Sequence, residues 1–458
     1  MSERREAGIP PSSERGPSGP PPQAARAENV SALDVRRQIA DELEAARARQ
    51  HAVLDRVSDA DLARQVSPLM SPLCWDVAHI ANYEELWLVR ALTEAAPTDE
   101  RFDDLYDAFA HGRAERIDLD ILDPEDARRY AADTRKRALD VLATLDHDAE
   151  DPLRREGFVY GMVIQHEHQH IETMLAALAL MERPSVELPG LRPRPVRDLP
   201  DEVFVGGGHV TLGTDTDPWA YDNERPAHVV ELAPFWIDTT PVTNEAYSRF
   251  VAGGGYDDAR WWSSDGWAWR EHDDARHPQH WRRDGSGWRR RRFGIDEELP
   301  PSEPVQHVCW HEADAYARWL GKRLPTEAEW EHAATGNEPR RYPWGHDAVT
   351  DAHAALATGT ERLAPGPAGT RPAGVSPCGA HDLIGGVWEW TATDFNGYPG
   401  FRAFPYREYS EVFFGDRYKV LRGGSWATHP SAIRTTFRNW DLPVRRQIFA
   451  GFRCARDA

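Results

Sequence analysis

From Phe158 to Glu182 the chain reads Phe158-Val159-Tyr160-Gly161-Met162-Val163-Ile164-Gln165-His166-Glu167-His168-Gln169-His170-Ile171-Glu172-Thr173-Met174-Leu175-Ala176-Ala177-Leu178-Ala179-Leu180-Met181-Glu182. The run reads as one helix that stops before Pro184. It is apolar except at its centre, where three histidines fall within five residues. His166 and His170 are four apart and therefore share one helical face, a spacing at which two imidazoles can chelate one metal ion. His168 lies off that face and reads as solvated.

The same string matches H-E-x-x-H, the pattern of zinc metalloproteases with Glu167 as the base. The metzincin continuation needs a glycine and then a third histidine, but Thr173 and Ala176 stand there. Glu187, near a thermolysin-like distance, falls in a proline-rich stretch. The alternative third ligand is His79, on the apolar face of an earlier helix, and bundles commonly build metal sites from facing helices. Three neutral imidazoles suit Fe(II), Zn(II) or Cu(II), and ligand type alone does not choose among them.

Outward from this helix, three more are predicted on the N-terminal side. Ser31 with Asp34 can cap a start, after which Leu33, Ile39, Leu43, Ala46, Val53, Leu54 and Val57 recur near a helical period. A second helix runs from about Cys74 to Leu92, its face carrying Trp75, His79, Asn82, Leu86 and Val89. A third starts at Asp123-Pro124, a cap followed by a first-turn proline, and continues to about Leu145. With a longer crossover between the second and third, these suit a four-helix bundle over residues 29–186. Residues 1–28 are rich in Pro, Ser, Gly and charge and are expected to be a disordered tail.

On the C-terminal side the texture changes at Pro184. Pro184 to Pro200 reads as a linker, placed at 187–202. From Val203 onward, Val203–Val205, His228–Leu232 and Trp236-Ile237 are strand-like, and helices are predicted over Asn244–Ala252 and Glu312–Leu320. Residues 203–458 therefore read as an irregular, loop-rich α+β domain.

Composition narrows the function classes. The 458 residues are too many for one ordinary core, and 40% are hydrophobic, enough for more than one. The net charge of −21 opposes nucleic acids and anionic membranes. Arg289-Arg290-Arg291-Arg292, within the Trp- and Arg-rich stretch Trp261–Phe293, is a local exception. It reads as a solvated loop flanked by Asp296, Glu297 and Glu298. Four scattered cysteines, Cys74, Cys309, Cys378 and Cys454, form no CxxC pair and suit a reducing compartment. No apolar run reaches membrane-spanning length and the N-terminus has no signal core, so cytoplasmic residence is the expectation.

Ser71-Pro72-Leu73-Cys74-Trp75-Asp76-Val77-Ala78-His79 and the His166–His170 cluster resemble the DinB-like iron domain of ergothioneine-pathway sulfoxide synthases, the hercynine oxygenases. The second half resembles the formylglycine-generating-enzyme-like (C-type-lectin-like) domain fused to it. The strings that carry this are Arg323-Leu324-Pro325-Thr326-Glu327-Ala328-Glu329-Trp330-Glu331, Gly386-Val387-Trp388-Glu389-Trp390, Leu421-Arg422-Gly423-Gly424-Ser425-Trp426 and Gly451-Phe452-Arg453. The resemblance covers about Ser31 to Asp457, and the fusion in this order is more specific than either half.

The resemblance implies Fe(II) held by His79, His166 and His170, with O2 as co-substrate. It implies that hercynine (N-alpha-trimethylhistidine) and gamma-glutamylcysteine are joined through a C–S bond and a sulfoxide. Gln169 and Asn439 resemble residues that hold hercynine; a quaternary ammonium also favours an indole face, here Trp440. Asp441 resembles a residue pairing with the donor's ammonium, and Arg113 and Arg116 the pair gripping its carboxylates. Tyr406 resembles the catalytic tyrosine, a proton donor to the oxygen intermediate, with Tyr409 as its near neighbour. Formylglycine generation would need a cysteine pair that Ser425–Thr428 and Arg434–Arg438 lack, so the second half is expected to serve as a scaffold. The alternatives are a synthase using cysteine or a selenium sugar, the zinc metalloprotease, and a non-catalytic ligand-binding module.

Overall fold

The computed structural model of the chain describes residues 24–144, 150–182, 198–285, 287–357 and 363–458. Most of the tail (1–23) and of the linker lies outside these. The first half is built on four long helices: α1 (Ala24–Leu54), α2 (Leu73–Glu84), α3 (Pro124–Thr144) and α4 (Phe158–Leu180). α1 begins earlier than expected and passes through Ser31, so no cap forms there. Its first residues, Ala24-Ala25-Arg26-Ala27-Glu28, are strong helix formers and carry it into the region read as tail. α3 starts where the sequence put it, the Asp123 carboxylate accepting from the Asp126 amide at 2.9 Å.

α2 and α4 are the inner pair. All twelve residues of α2 are buried. α4 is buried along most of its length and on all sides, which is why it lacks the polar face of a surface helix. Beyond Glu84 the chain passes into a π-helical turn, Glu85–Arg90. The wider turn changes the helical phase, and Leu86, expected on the buried face with Trp75 and His79, is 36% exposed instead.

The second half is α+β. A three-stranded antiparallel sheet joins β1 (Glu202–Val205), β4 (Phe235–Asp238) and β12 (Ala455–Asp457), and β2 (Gly208–Leu212) pairs with β3 (His228–Leu232). A four-stranded sheet has the order β10 (Asn439–Asp441), β9 (Lys419–Arg422), β8 (Trp388–Asp394), β11 (Ala450–Gly451), which makes β10 an edge strand. Helices α5 (Asn244–Ala252) and α7 (Trp310–Trp319) match expectation; α6 (Ser264–His272) and α8 (Glu327–Thr335) were not foreseen.

The Trp- and Arg-rich stretch is not a solvated loop. It forms α6 and a sheet of β5 (Trp281–Asp284), β6 (Gly287–Arg292) and β7 (Ile295–Glu298). Two flanking acids are cross-strand partners, Asp296 of Arg289 at 2.6 Å and Glu297 of buried Arg290 at 2.7 Å, and Arg290 also reaches Glu303, beyond the strands, at 2.7 Å. Opposite charges facing one another across a ladder stabilise a strand that a row of arginines alone would repel.

The two halves share their cores. Tyr83, Val159 and Met162 belong to one hydrophobic cluster with Tyr221, Trp388 and Phe437. Trp75, Ile171 and Leu175 belong to another with Trp426 and Phe449. α4 is the seam. Arg434 donates to Gln165 Oε1 at 2.9 Å and to the Trp219 carbonyl at 3.0 Å, and pairs with Glu224. Gly161 is required here: a Cβ at this position would lie 2.3 Å from the Trp219 ring.

Candidate metal centre

His79 comes from α2, and His166 and His170 from successive turns of α4. Their ring centroids lie 4.4 to 5.1 Å apart. His79 Nε2 and His166 Nε2 face each other at 3.2 Å. Imidazole nitrogens about 2.1 Å from one shared ion, roughly at right angles, stand about 3 Å apart, so the spacing fits two edges of one coordination shell. Burial, and then the neighbouring His170, push protonation of both rings well below the ordinary imidazole range. They are neutral, with lone pairs to offer.

Outer partners fix which nitrogen is offered. The Tyr106 carbonyl lies 2.7 Å from His79 Nδ1 and can only accept, so Nδ1 carries the proton and Nε2 the lone pair. His170 Nδ1 lies 3.3 Å from the Asp76 carboxylate, the carboxylate–imidazole arrangement that orients metal ligands. His166 has no such partner among the described residues; the Tyr83 ring stacks on it at 3.8 Å and 17°.

The metalloprotease pattern fails on Glu167. Its carboxylate is fully buried and bonded to Arg47 at 2.8 Å and Arg135 at 2.6 Å. Burial alone would raise this carboxyl, but the two guanidiniums outweigh it and hold it below the usual range. Glu84 completes the network on the same two arginines. A side chain locked between two cations on the far side of the helix is no base for a metal-bound water.

Tyr406 approaches the centre from the second half. Its hydroxyl lies 3.0 Å from the Tyr83 hydroxyl, and its ring stacks on Trp87 at 5.4 Å and 24°. Tyr409 is held differently: its ring stacks on Tyr221 at 4.2 Å, with the Gln169 side chain beside its hydroxyl. Burial raises both phenols above their ordinary range, so each keeps its proton.

The remaining candidates come from both halves of the chain. Trp440, on edge strand β10, meets Tyr409 edge-on at 5.9 Å and stacks on Phe395 at 4.1 Å. The Asn439 side-chain oxygen accepts from the Trp440 amide at 2.9 Å. Half-buried Asp441 faces Arg445 at 3.4 Å; burial raises its carboxyl, with Arg445 and Arg113 opposing. Arg113 and Arg116 lie in a 3-10 turn, Arg113–Asp118, in which residues three apart eclipse. They differ in freedom. Arg113 is half-buried and donates to the Leu69 carbonyl. Arg116 is buried, lies 3.6 Å over the Trp75 ring, and donates to Ser71 Oγ and to the His111 and Ala108 carbonyls. Three of its five N–H groups are thereby engaged.

His168, expected in solvent, is buried against His429, the rings stacked at 3.8 Å and 13°. With Glu42 these form a second histidine–carboxylate group. Rings lying face to face hold their lone pairs in parallel planes, so as placed the two do not converge on one ion. His429 Nδ1 is also occupied by Ser431.

Sequence reading missed Asp76, Tyr83, Trp87 and Glu172. Asp76 and Tyr83 carry a usable signal, since they stand three before and four after His79 on the same face. Trp87 does not, because the π turn that aims it has no sequence signature among ordinary helix formers. Nor does the Tyr106 carbonyl, which any residue would provide.

Comparison with known proteins accords with both halves. Residues 42–174 match the DinB superfamily, and residues 188–458 match the sulfatase-modifying factor enzyme 1-like domain. A hercynine oxygenase of Mycolicibacterium smegmatis is 48% identical over 440 residues, covering 92% of this chain and 99% of that one. A hercynine oxygenase of Mycobacterium tuberculosis is 48% identical over 431 residues, covering 92% and 99%. A formylglycine-generating enzyme of Streptomyces coelicolor is 34% identical over 303 residues, covering 59% of this chain and 92% of that one.

Proposed function

The chain belongs to the hercynine oxygenase family and is an oxidoreductase, and on that premise we propose that it is an Fe(II)- and O2-dependent sulfoxide synthase joining gamma-glutamylcysteine to hercynine. The observation that carries this reading is the convergence of three imidazoles from α2 and α4, two of them buried, with two phenols and an indole from the second half running up to them. The donor set fits Fe(II): nitrogen ligands only, neutral, from three side chains, leaving positions open. When bound, the ion supplies the site of O2 activation.

The chain's own residues do the rest. His79, His166 and His170 present their Nε2 atoms, and Asp76 and the Tyr106 carbonyl hold two of the rings in the required tautomer. Tyr406 holds a phenolic proton at Oη, two contacts from His166. Gln169, Asn439 and Trp440 offer an amide pair and an indole face to a trimethylammonium imidazole substrate. Arg113 and Arg116 answer the donor's two carboxylates and Asp441 its ammonium, with Arg445 as a further cation beside Asp441.

No cysteine lies between Leu421 and Arg438, so the formylglycine-generating-enzyme-like half is read as a scaffold here. No helix among the described residues is long and apolar enough to cross a membrane. The test is metal analysis together with O2 uptake and product mass when hercynine and gamma-glutamylcysteine are supplied. The reading predicts about one iron per chain and a product carrying both substrates plus oxygen. Turnover with zinc alone, or with no hercynine consumed, refutes it.

A further inference from the structure

The Tyr83 hydroxyl and the Tyr406 hydroxyl, 3.0 Å apart, are each other's one hydrogen-bond partner among the described residues. Their settings are unequal. Tyr83 stands on α2, one turn beyond His79, with its ring pinned flat on His166 at 3.8 Å. Tyr406 stands outside the strands of the second half, just before the short 3-10 turn Arg407–Tyr409. Loop side chains keep rotational freedom that a buried helix removes. The Trp87 ring stacked on Tyr406 limits that freedom in one direction and the Tyr83 hydroxyl in another.

We infer that Tyr83 is a positioning residue for Tyr406: its O–H donates to Tyr406 Oη, sets the phenol beside the His166 face of the centre, and leaves the Tyr406 proton free to point toward the reacting groups. The contact and the unequal settings carry the argument, and the direction follows from the role of Tyr406. Were Tyr406 the donor, its proton would be spent on Tyr83 and withheld from the site. With Tyr83 as donor, the Tyr406 oxygen is held in place and its O–H is the one left to face the site. The inference rests on the reading of Tyr406 as proton donor.

Tyr83→Phe tests it, because phenylalanine keeps the ring on His166 and removes only the hydroxyl. Iron content and KM for both substrates should match the parent, while kcat falls about tenfold, the weight of one ordinary hydrogen bond. On a Tyr406→Phe background the same change should add nothing, since Tyr83 acts only through that phenol. A 3-fluorotyrosine placed at position 406 of the metal-free protein should show a shifted or broadened fluorine resonance in Tyr83→Phe, which tests the contact apart from turnover. Parent kcat in Tyr83→Phe, loss of iron, an unmoved fluorine resonance, or a further drop on the Tyr406→Phe background would each overturn the inference. Failure of the underlying reading looks different: Tyr406→Phe itself would then turn over at the parent rate.

Discussion

Glu172 Oε1 accepts a hydrogen bond from Ser425 Oγ at 2.5 Å across the boundary between the two halves. The same carboxylate accepts from Trp388 Nε1 at 2.8 Å and Thr428 Oγ1 at 2.7 Å. Glu172 is two residues beyond His170, so this one half-buried acid helps fasten the helix that carries two metal ligands to the second half. Glu172→Ala should leave three buried donors unsatisfied and cost about 3 kcal/mol or more. Chemical denaturation reads this directly, and an unchanged midpoint would remove the fastening role.

His79→Ala should abolish iron binding and activity together, because α4 alone supplies only two nitrogens. Asp76→Asn is the milder companion: the ligand set stays whole, but His170 loses its carboxylate, and metal affinity should fall about 10- to 100-fold. Stoichiometric iron in His79→Ala, measured by elemental analysis, would send the third ligand elsewhere.

Tyr406→Phe should bind both substrates and lose C–S coupling by about 10²- to 10⁴-fold, the usual weight of a general acid. Tyr409→Phe should disturb Gln169 and so raise KM for hercynine more than it lowers kcat. Steady-state kinetics on the two variants separates the roles; a dead Tyr409→Phe beside a fully active Tyr406→Phe would exchange them.

Gamma-glutamylcysteine has two carboxylates and one ammonium, against Arg113, Arg116 and Asp441. Cysteine leaves one arginine unanswered and should be the poorer donor by roughly tenfold or more in kcat/KM. Arg113→Ala is the cleaner test of this, since the half-buried Arg113 side chain makes a single backbone hydrogen bond. Arg116 is built into the turn over Trp75, so Arg116→Ala should lower stability as well as raise KM for the dipeptide. Equal use of the two donors by the parent, or preference for a selenium sugar, would defeat the charge match.

Burial lowers His307 from its ordinary 6.5 to about 4. Between those values the unfolded chain binds a proton at this site and the folded one does not, so its contribution to stability is lost as pH falls from 6.5 toward 4. The residue sits at φ +61°, a conformation asparagine tolerates. His307→Asn should therefore lose up to about 1.4 kcal/mol less stability per pH unit than the parent across that window. Parallel stability–pH curves for the two proteins would show that His307 titrates normally.

Much of the helical half is legible in the sequence because its signals are local. The Asp123-Pro124 start and the i, i+4 histidine pair need no knowledge of distant residues. Leu86 went wrong because one π turn rotates everything after it, and no residue type announces that turn. The Arg289–Arg292 stretch went wrong for a different reason. Four arginines look solvated until the strand carrying Asp296 and Glu297 is laid beside them, and Glu303, which pairs with buried Arg290, lies in neither strand. In the site, residue types that bind metal stand out by spacing. The backbone carbonyl of Tyr106, which aims His79, becomes visible only once α2 meets its neighbours.

The absence of a side chain at Gly161 lets an indole from the second half lie directly on the helix, five residues before His166. The helix thus has its axial and rotational setting gauged by a residue from beyond the linker. Such halves have to be inherited together. A chimera that took its N-terminal half from this chain and its C-terminal half from a relative without the indole would fold around a hole at Gly161, and the ligands would no longer share a common reference.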